Sequence, residues 1–368
     1  MLNVFKIFIK IFPITIFIFL LCDVLFGVQI LEKFYWQDKE DFRIEHKDYH
    51  HTIKKNYNGN AFFGGKKYKF CSDGSGFKSS CNKTEIITKN FDIAFIGDSF
   101  TEGLGIPYEE TFVGIISKKF KDKKIANLGV SGYSPSIYLI KIKKLLELGY
   151  NFKEVVIYID INDIYNEANS YEIINDLVVP LKEKKEKIDY LDNKKINRFE
   201  FKKIFKKNFR FTYENLHLLK MAVYRVQNKK IFPYVLDLDM GAWTYNNSVK
   251  GYGELGLEGS IIKAKDTILE LIHLLENRGI YYSIGVYPYP QTLFYDQENS
   301  KQVSTWKDLC ELRCKNFYNN FPLFFKKAKE MGPIETYYKY YIYRDVHFNK
   351  NGHIVIAENF IKNYLNEN

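Results

Sequence analysis

From residue 91 onward the chain alternates short apolar runs with longer stretches in which apolar residues recur every three or four positions. The runs Asp92–Ile96, Lys124–Leu128, Glu154–Ile159 and Tyr281–Tyr287 predict buried strands. The stretches Phe112–Phe120, Ser136–Leu148, Ile261–Arg278 and Gly352–Leu365 predict helices, with Pro135 near the first turn of the second, where a missing N–H costs nothing. A fifth strand is expected within Thr336–Tyr343. Strands alternating with helices predict an α/β fold of three layers, α/β/α and flavodoxin-like, around a parallel sheet of about five strands. Sites in such sheets form outside the carboxyl ends of the strands.

The amino terminus has a different pattern. Lys6 and Lys10 precede Ile11–Leu31, a 21-residue stretch whose only charge is Asp23. That length covers a bilayer core of about 30 Å, so an N-terminal transmembrane helix is expected, and the positive flank puts the terminus in the cytoplasm and the rest outside. A cleaved signal peptide is the rival reading. Against it, the apolar core is long, no small-x-small site follows it, and Leu20-Leu21 before Cys22 is too bulky for a lipoprotein site. The organisation read from these patterns is an anchor over 1–31, a membrane-proximal segment over 32–90 with a small β-hairpin around Phe70–Phe77, and an α/β domain over 91–368. That domain carries an insertion at about 165–260.

Outside the anchor, four cysteines fall as two close pairs, Cys71/Cys81 and Cys310/Cys314. An even number in an oxidising compartment favours two local disulfides, although the second pair, four apart on an expected helix, would be strained. Zinc is the alternative, and no histidine stands at ligand spacing from either pair. His46, His50 and His51 likewise lack acidic or cysteine partners at matching spacing and read as surface or packing residues. No metal and no cofactor are expected.

Charge is concentrated in the insertion. Residues 181–230 hold 16 Lys and Arg against 6 Asp and Glu, a net excess equal to the +10 of the whole chain. Phe201, Ile204, Phe205, Asn208 and Phe209 fall at helical spacing among Lys202, Lys203, Lys206 and Lys207. A basic amphipathic helix can lie on anionic lipid or glycan, or simply pack on a domain with its lysines in water. Nucleic acid is a poor partner, because the segment is expected outside the cytoplasm and no nucleic-acid motif accompanies it.

The candidate chemistry lies at the strand ends. The run Ile93–Ile96 stops at Gly97-Asp98-Ser99, which delivers a serine to a tight turn, and Asp345-Val346-His347 offers a histidine with a carboxylate two residues before it. A serine hydroxyl needs a base to take its proton, and the base needs a third group to fix its tautomer. These are parts for a serine esterase.

Four blocks of the sequence resemble the SGNH (GDSL-type) hydrolase family, over about three quarters of the chain: Gly97-Asp98-Ser99, Asn127–Gly132, Asp160-Ile161-Asn162-Asp163 and Asp345–His353. The resemblance implies Ser99 as nucleophile, His347 as general base and Asp345 as its orienting carboxylate. It also implies an oxyanion hole built from the N–H groups of Ser99 and Gly132 and the Asn162 amide. The commonest family pattern places the aspartate three residues before the histidine, where this chain has Arg344. The two-residue spacing of Asp345 is found in relatives that acetylate or deacetylate exported polysaccharides. The function implied is hydrolysis of O-acyl, chiefly O-acetyl, esters on an envelope carbohydrate, with O-acetyl transfer to an exported polysaccharide and a non-catalytic envelope scaffold as alternatives. Asp98 and Asp163 are expected to be structural, and His353 to open the last helix.

Overall fold

The computed structural model describes residues 2–34, 41–64, 66–82, 88–181, 239–310, 314–343 and 345–366, with single residues and short stretches between 208 and 223. It divides into two compact units, Met1–Glu40 with Ile188–Pro233, and Asp41–Lys187 with Tyr234–Asn368.

In the first unit the expected anchor forms one helix, α1 (Leu2–Phe34), with Pro13 inside it. Its side chains are described over residues 11–27, and Ile11, Phe17 and Val24 among them are exposed. Among the described residues no helix is long and apolar enough to cross a membrane. Asp23, the one charge in the apolar run, is paired: its carboxylate accepts the Thr212 N–H at 3.0 Å and the Thr212 hydroxyl. The neighbouring Phe211 ring meets Phe19 and Phe26. The lysine-bearing segment at 201–207, where a basic amphipathic helix is expected, lies outside the described residues.

The second unit opens with two antiparallel hairpins. The first pairs β1 (Arg43–His46) with β2 (His50–Ile53), and the second pairs β3 (Asn58–Phe63) with β4 (Lys66–Cys71). Around Phe70–Phe77, where a small hairpin is expected, the chain turns back antiparallel with one bridge, Ser72 to Lys78, and bonds from the Asp73 N–H to the Phe77 carbonyl and from the Ser79 N–H to the Cys71 carbonyl, each at 2.9 Å. The Asp73 carboxylate closes this turn by accepting the N–H groups of Ser75 and Phe77, each at 2.9 Å.

The main sheet contains β5 (Asn90–Ile96), β6 (Ile125–Asn127), β7 (Asn151–Ile159), β10 (Tyr281–Val286) and β11 (Phe317–Asn319). A small hairpin, β8 (Tyr171–Ile174) with β9 (Leu177–Pro180), precedes β10. The spatial order is β6-β5-β7-β10-β11, all parallel. Strand order therefore reverses between β5 and β7, the position where doubly wound sheets open a crevice. Helices α2 (Ser99–Glu102), α3 (Phe112–Lys119), α4 (Pro135–Glu147), α5 (Asp163–Asn169), α6 (Gly256–Asn277), α7 (Phe321–Met331), α8 (Pro333–Tyr340) and α9 (Lys350–Asn366) join and flank the strands. Helices α4, α5 and α6 pack on one another, as do α3 with α9 and α7 with α8, which makes the outer layers. Central strand β7 is buried from Glu154 onward, hence its unbroken Val-Val-Ile-Tyr-Ile run.

The fifth strand is β11, which corrects its placement within Thr336–Tyr343. Gly332, at φ +89°, and Pro333 start a helix there instead. Thr336, Tyr337 and Tyr340 then share a buried face at helical spacing. The aromatic run suits a strand by propensity, and burial on a helix overrides it.

Both cysteine pairs are bonded, and Cys22 is free. Cys310 and Cys314 lie past the end of the short helix Lys301–Lys307, with their Cα atoms 4.9 Å apart. Cys71–Cys81 closes the loop that carries Lys78, whose ammonium is buried and donates to the carbonyls of Gly103 and Ile106 at 2.9 and 2.8 Å. Burial pulls the Lys78 pKa down to about 7. Replacing both Cys71 and Cys81 with serine is expected to lower the unfolding free energy by about 2–3 kcal/mol, the chain-entropy value for so short a loop. Denaturant midpoints of the variant and the oxidised parent check this, and equal midpoints would show the bridge to be neutral.

Candidate active site

Three adjacent strands bring the candidate residues together at one end of the sheet. Strand β5 ends at Ile96, and Gly97 follows where a side chain has no room: a Cβ there would sit 2.2 Å from Thr101 Oγ1 and 2.8 Å from the Tyr158 carbonyl. Asp98 then caps α2, its carboxylate accepting the Phe100 N–H at 3.0 Å, and this places Ser99 at the first helical position, 6% exposed.

The histidine arrives from the other end of the chain. The segment after α8 is folded into a tight loop by three backbone bonds: Ile342 N–H to the His347 carbonyl at 2.8 Å, Asp345 N–H to the Ile342 carbonyl at 3.0 Å, and Asn349 N–H to the Tyr340 carbonyl at 3.0 Å. The Tyr337 hydroxyl supports it, donating to the Ile342 carbonyl at 3.1 Å and accepting the Asp345 N–H at 3.1 Å. His347 Nε2 lies 2.7 Å from Ser99 Oγ, across 248 residues of chain. Its Nδ1 is bonded to Asp345 Oδ1, which also accepts the His347 backbone N–H at 3.0 Å. The carboxylate oxygen can only accept, so Nδ1 carries the proton and Nε2 is left to receive the serine's. Two residues of spacing suffice because one carboxylate oxygen serves both the ring and the backbone of His347.

Burial opposes charging His347, but the facing Asp345 carboxylate outweighs it and holds the imidazole above its ordinary pKa of 6.5. Burial likewise pushes Asp345 up, and the His347 charge more than compensates, leaving the carboxyl below its ordinary range. The imidazole is packed at 4.6 Å between ring centroids against Phe100 and edge-on at 5.3 Å against Phe63. Phe63 comes from the end of β3. Its ring and Ile342 both crowd Gly105, so the second hairpin reaches the catalytic side of the molecule.

Gly132 and Asn162 follow β6 and β7, the strands on either side of β5. The loop after β6 continues the sheet bonding, with Leu128 N–H to the Phe95 carbonyl at 2.8 Å and Val130 N–H to the Gly97 carbonyl at 3.3 Å. Gly132 has φ +83°, a conformation that favours glycine. Asn162 begins α5, and its side-chain oxygen is buried without a hydrogen-bond partner among the described residues.

Behind Ser99 lies a polar network. The Tyr287 hydroxyl donates to Asp98 at 3.3 Å, Tyr289 to Asp160 at 2.7 Å and Tyr138 to Asp163 at 3.0 Å, while the Asp160 N–H donates to Asp163 at 2.9 Å. Burial first, and the Asp98 charge second, hold Asp160 and Asp163 well above the carboxylate range. These aspartates fix the strand-end loops. His353 is fully buried, accepts the Phe112 N–H at 3.2 Å and is pulled down to about 3 by burial, which removes it as a competing base. His46 stacks on Tyr49 at 3.6 Å, and no metal-holding cluster exists among the described residues.

Arg43, His51, Phe63 and Glu102 surround this site and carry no sequence motif. Glu102, three residues after Ser99 in a buried helix, offered the one usable signal: a charge that an apolar environment must pair.

No family model matches the chain, and no curated protein matches it. Solved structures similar to it include a psychrotrophic esterase, EstA, from Pseudoalteromonas sp., at 14% identity and TM-score 0.37, covering 76% of this chain and 100% of that one. An acetylxylan esterase, Axe2, from Geobacillus stearothermophilus stands at 13% identity and TM-score 0.40, covering 74% and 93%. A lipolytic protein of the G-D-S-L family from Veillonella parvula stands at 12% and 0.38, covering 74% and 98%. At TM-scores below 0.5, none of these likenesses assigns this chain an activity.

Proposed function

We propose that this chain is a serine esterase of the SGNH type, membrane-anchored through α1, that removes O-acyl groups, O-acetyl above all, from an envelope carbohydrate. The observation that carries the esterase reading is the hydrogen-bonded line Ser99 Oγ, His347 Nε2, His347 Nδ1, Asp345 Oδ1. Ser99 Oγ attacks the ester carbonyl carbon as its proton passes to His347 Nε2. The resulting oxyanion is met by the N–H groups of Ser99 and Gly132 and the Asn162 amide. His347 then protonates the departing alkoxide, leaving an acyl-serine, and activates the water that cleaves it. Asp345 steadies the imidazolium at both proton transfers.

The acetyl-carbohydrate substrate and the envelope location rest on the Asp-x-His spacing, the two disulfides, the lysines before the apolar run and the apolar side chains of α1. That same spacing favours one second reading, transfer of the acyl group to a sugar hydroxyl in place of water, with every residue role unchanged. The full chain is expected to hydrolyse aryl acetates and to be labelled at Ser99 by a fluorophosphonate. Failure of both would remove the esterase reading. Mass spectrometry of envelope glycans from a strain lacking the protein separates the two readings: gain of O-acetyl marks an esterase, and loss marks a transferase.

A further inference from the structure

The residue before Gly132 is held from two sides by groups that lie outside its own loop. The Ser131 N–H donates to Glu102 Oε2 at 2.7 Å, and the Ser131 carbonyl accepts from His51 Nε2 at 2.8 Å. Glu102 is fully buried and gripped by Arg43 through two parallel bonds, Nη1 to Oε2 at 2.7 Å and Nη2 to Oε1 at 2.9 Å. Arg43 and His51 belong to opposite strands of the β1–β2 hairpin. Glu45 pairs with His51, so Arg43, two residues from Glu45, projects from the same face.

The tautomer of His51 is set by its partners. A carbonyl can only accept, so Nε2 carries the proton, and Nδ1 accepts a hydrogen bond from the His50 Nδ1–H, 2.7 Å away. Burial keeps the ring neutral, pulling its pKa down to about 4. The ring is braced edge-on by Tyr133 at 5.0 Å, whose hydroxyl donates to the His51 carbonyl at 2.8 Å.

The Ser131 carbonyl and the Gly132 N–H belong to one planar trans peptide and point in opposite directions, so fixing one aims the other. We propose that His51 is a positioning residue for the oxyanion hole: its Nε2–H locks the Ser131–Gly132 peptide so that the Gly132 N–H stays directed at the oxygen that becomes negative when Ser99 attacks. Arg43 and Glu102 lock the preceding peptide in the same way. Such a lock is needed because glycine imposes little barrier to a peptide flip, and a flipped peptide would present its carbonyl to the anion. The inference rests on the esterase reading above and extends it: the segment before the α/β body completes the site.

The test uses the full chain with His51→Leu, which fills the space of the ring without a donor, and His51→Gln, whose amide N–H can reach the same carbonyl. On an aryl acetate, His51→Leu is expected to lower kcat by about tenfold or more, short of the roughly 10²–10³-fold lost when an oxyanion donor is deleted, with KM changed less than about twofold. His51→Gln is expected to return most of that loss. Unchanged kcat in a folded His51→Leu protein overturns the proposal. So does equal loss in both variants tracking a fall in melting temperature, which would mark a packing role. Should the leucine variant not fold, His51→Asn, with the same amide on a shorter arm, replaces it: kcat below that of His51→Gln supports the proposal, and equal kcat overturns it. A parent that neither hydrolyses aryl esters nor takes up the fluorophosphonate sinks the esterase reading and this inference together. An active parent with an indifferent His51→Leu sinks this inference alone.

Discussion

Ser99→Ala reduces turnover of an aryl acetate by about 10⁶-fold, the scale seen when a triad nucleophile is removed. The reason is covalent: among the described residues no other hydroxyl is placed against His347 Nε2 as Ser99 Oγ is, at 2.7 Å. The fold is expected to survive, because α2 is capped by the Asp98 carboxylate on the Phe100 N–H, a bond the serine hydroxyl does not make. Two readouts are needed: the hydrolysis rate, and intact-mass detection of the acyl or phosphonyl adduct. An alanine protein as fast as its parent, or one still labelled, would mean that Ser99 is a turn residue and that another group does any chemistry observed.

Asp345→Asn is the second large effect, expected to lower kcat by about 10⁴-fold with the backbone little changed. Asparagine can still accept the His347 N–H, but its amide can also donate to the ring. The imidazole is then free to take the tautomer that protonates Nε2 and blocks transfer from Ser99. The pH dependence carries the sign. In the parent, activity needs neutral His347, whose pKa is held above its ordinary value because the Asp345 carboxylate outweighs burial. Activity therefore rises with pH through an inflection above 6.5, since a raised pKa keeps the inactive imidazolium to higher pH. Without the carboxylate, burial dominates and the inflection moves down. A kcat/KM profile whose inflection does not move in Asp345→Asn would show that another group orients the base.

The contrast between these residues and the His51 clamp shows how far a linear reading reaches. Ser99, Gly132 and Asn162 were legible because each follows an apolar run, and parallel sheets gather the carboxyl ends of their strands. His347 and Asp345 were legible as a close pair, although the strand placed before them proved to be helix α8. The true fifth strand, β11, is three residues long with only its middle residue buried, so no apolar run marks it, unlike the equally short β6, which is buried throughout. Lys78, Lys141, Glu102 and Glu167 are buried charges that composition reads as solvated. Each is held by polar groups distant in the chain, as Glu167 is by the Ser134 and Ser136 hydroxyls, at 2.7 Å each.

By itself, then, the sequence determined the layered sheet, which segments form its first four strands, two close cysteine pairs suited to local bridges, and which side chains could supply a nucleophile and a base. These properties follow from periodicity and short-range spacing, which local backbone geometry converts directly into structure. Only the tertiary fold decided that Asp345 reaches His347 from two residues away, that Phe63 packs on the imidazole, and that Arg43 and His51 grip the loop bearing Gly132. Apart from the Asp345–His347 pair, those contacts join positions tens to hundreds of residues apart. The polar ones exist because burial strips water from groups such as the Glu102 carboxylate, and each must then find a partner within the protein.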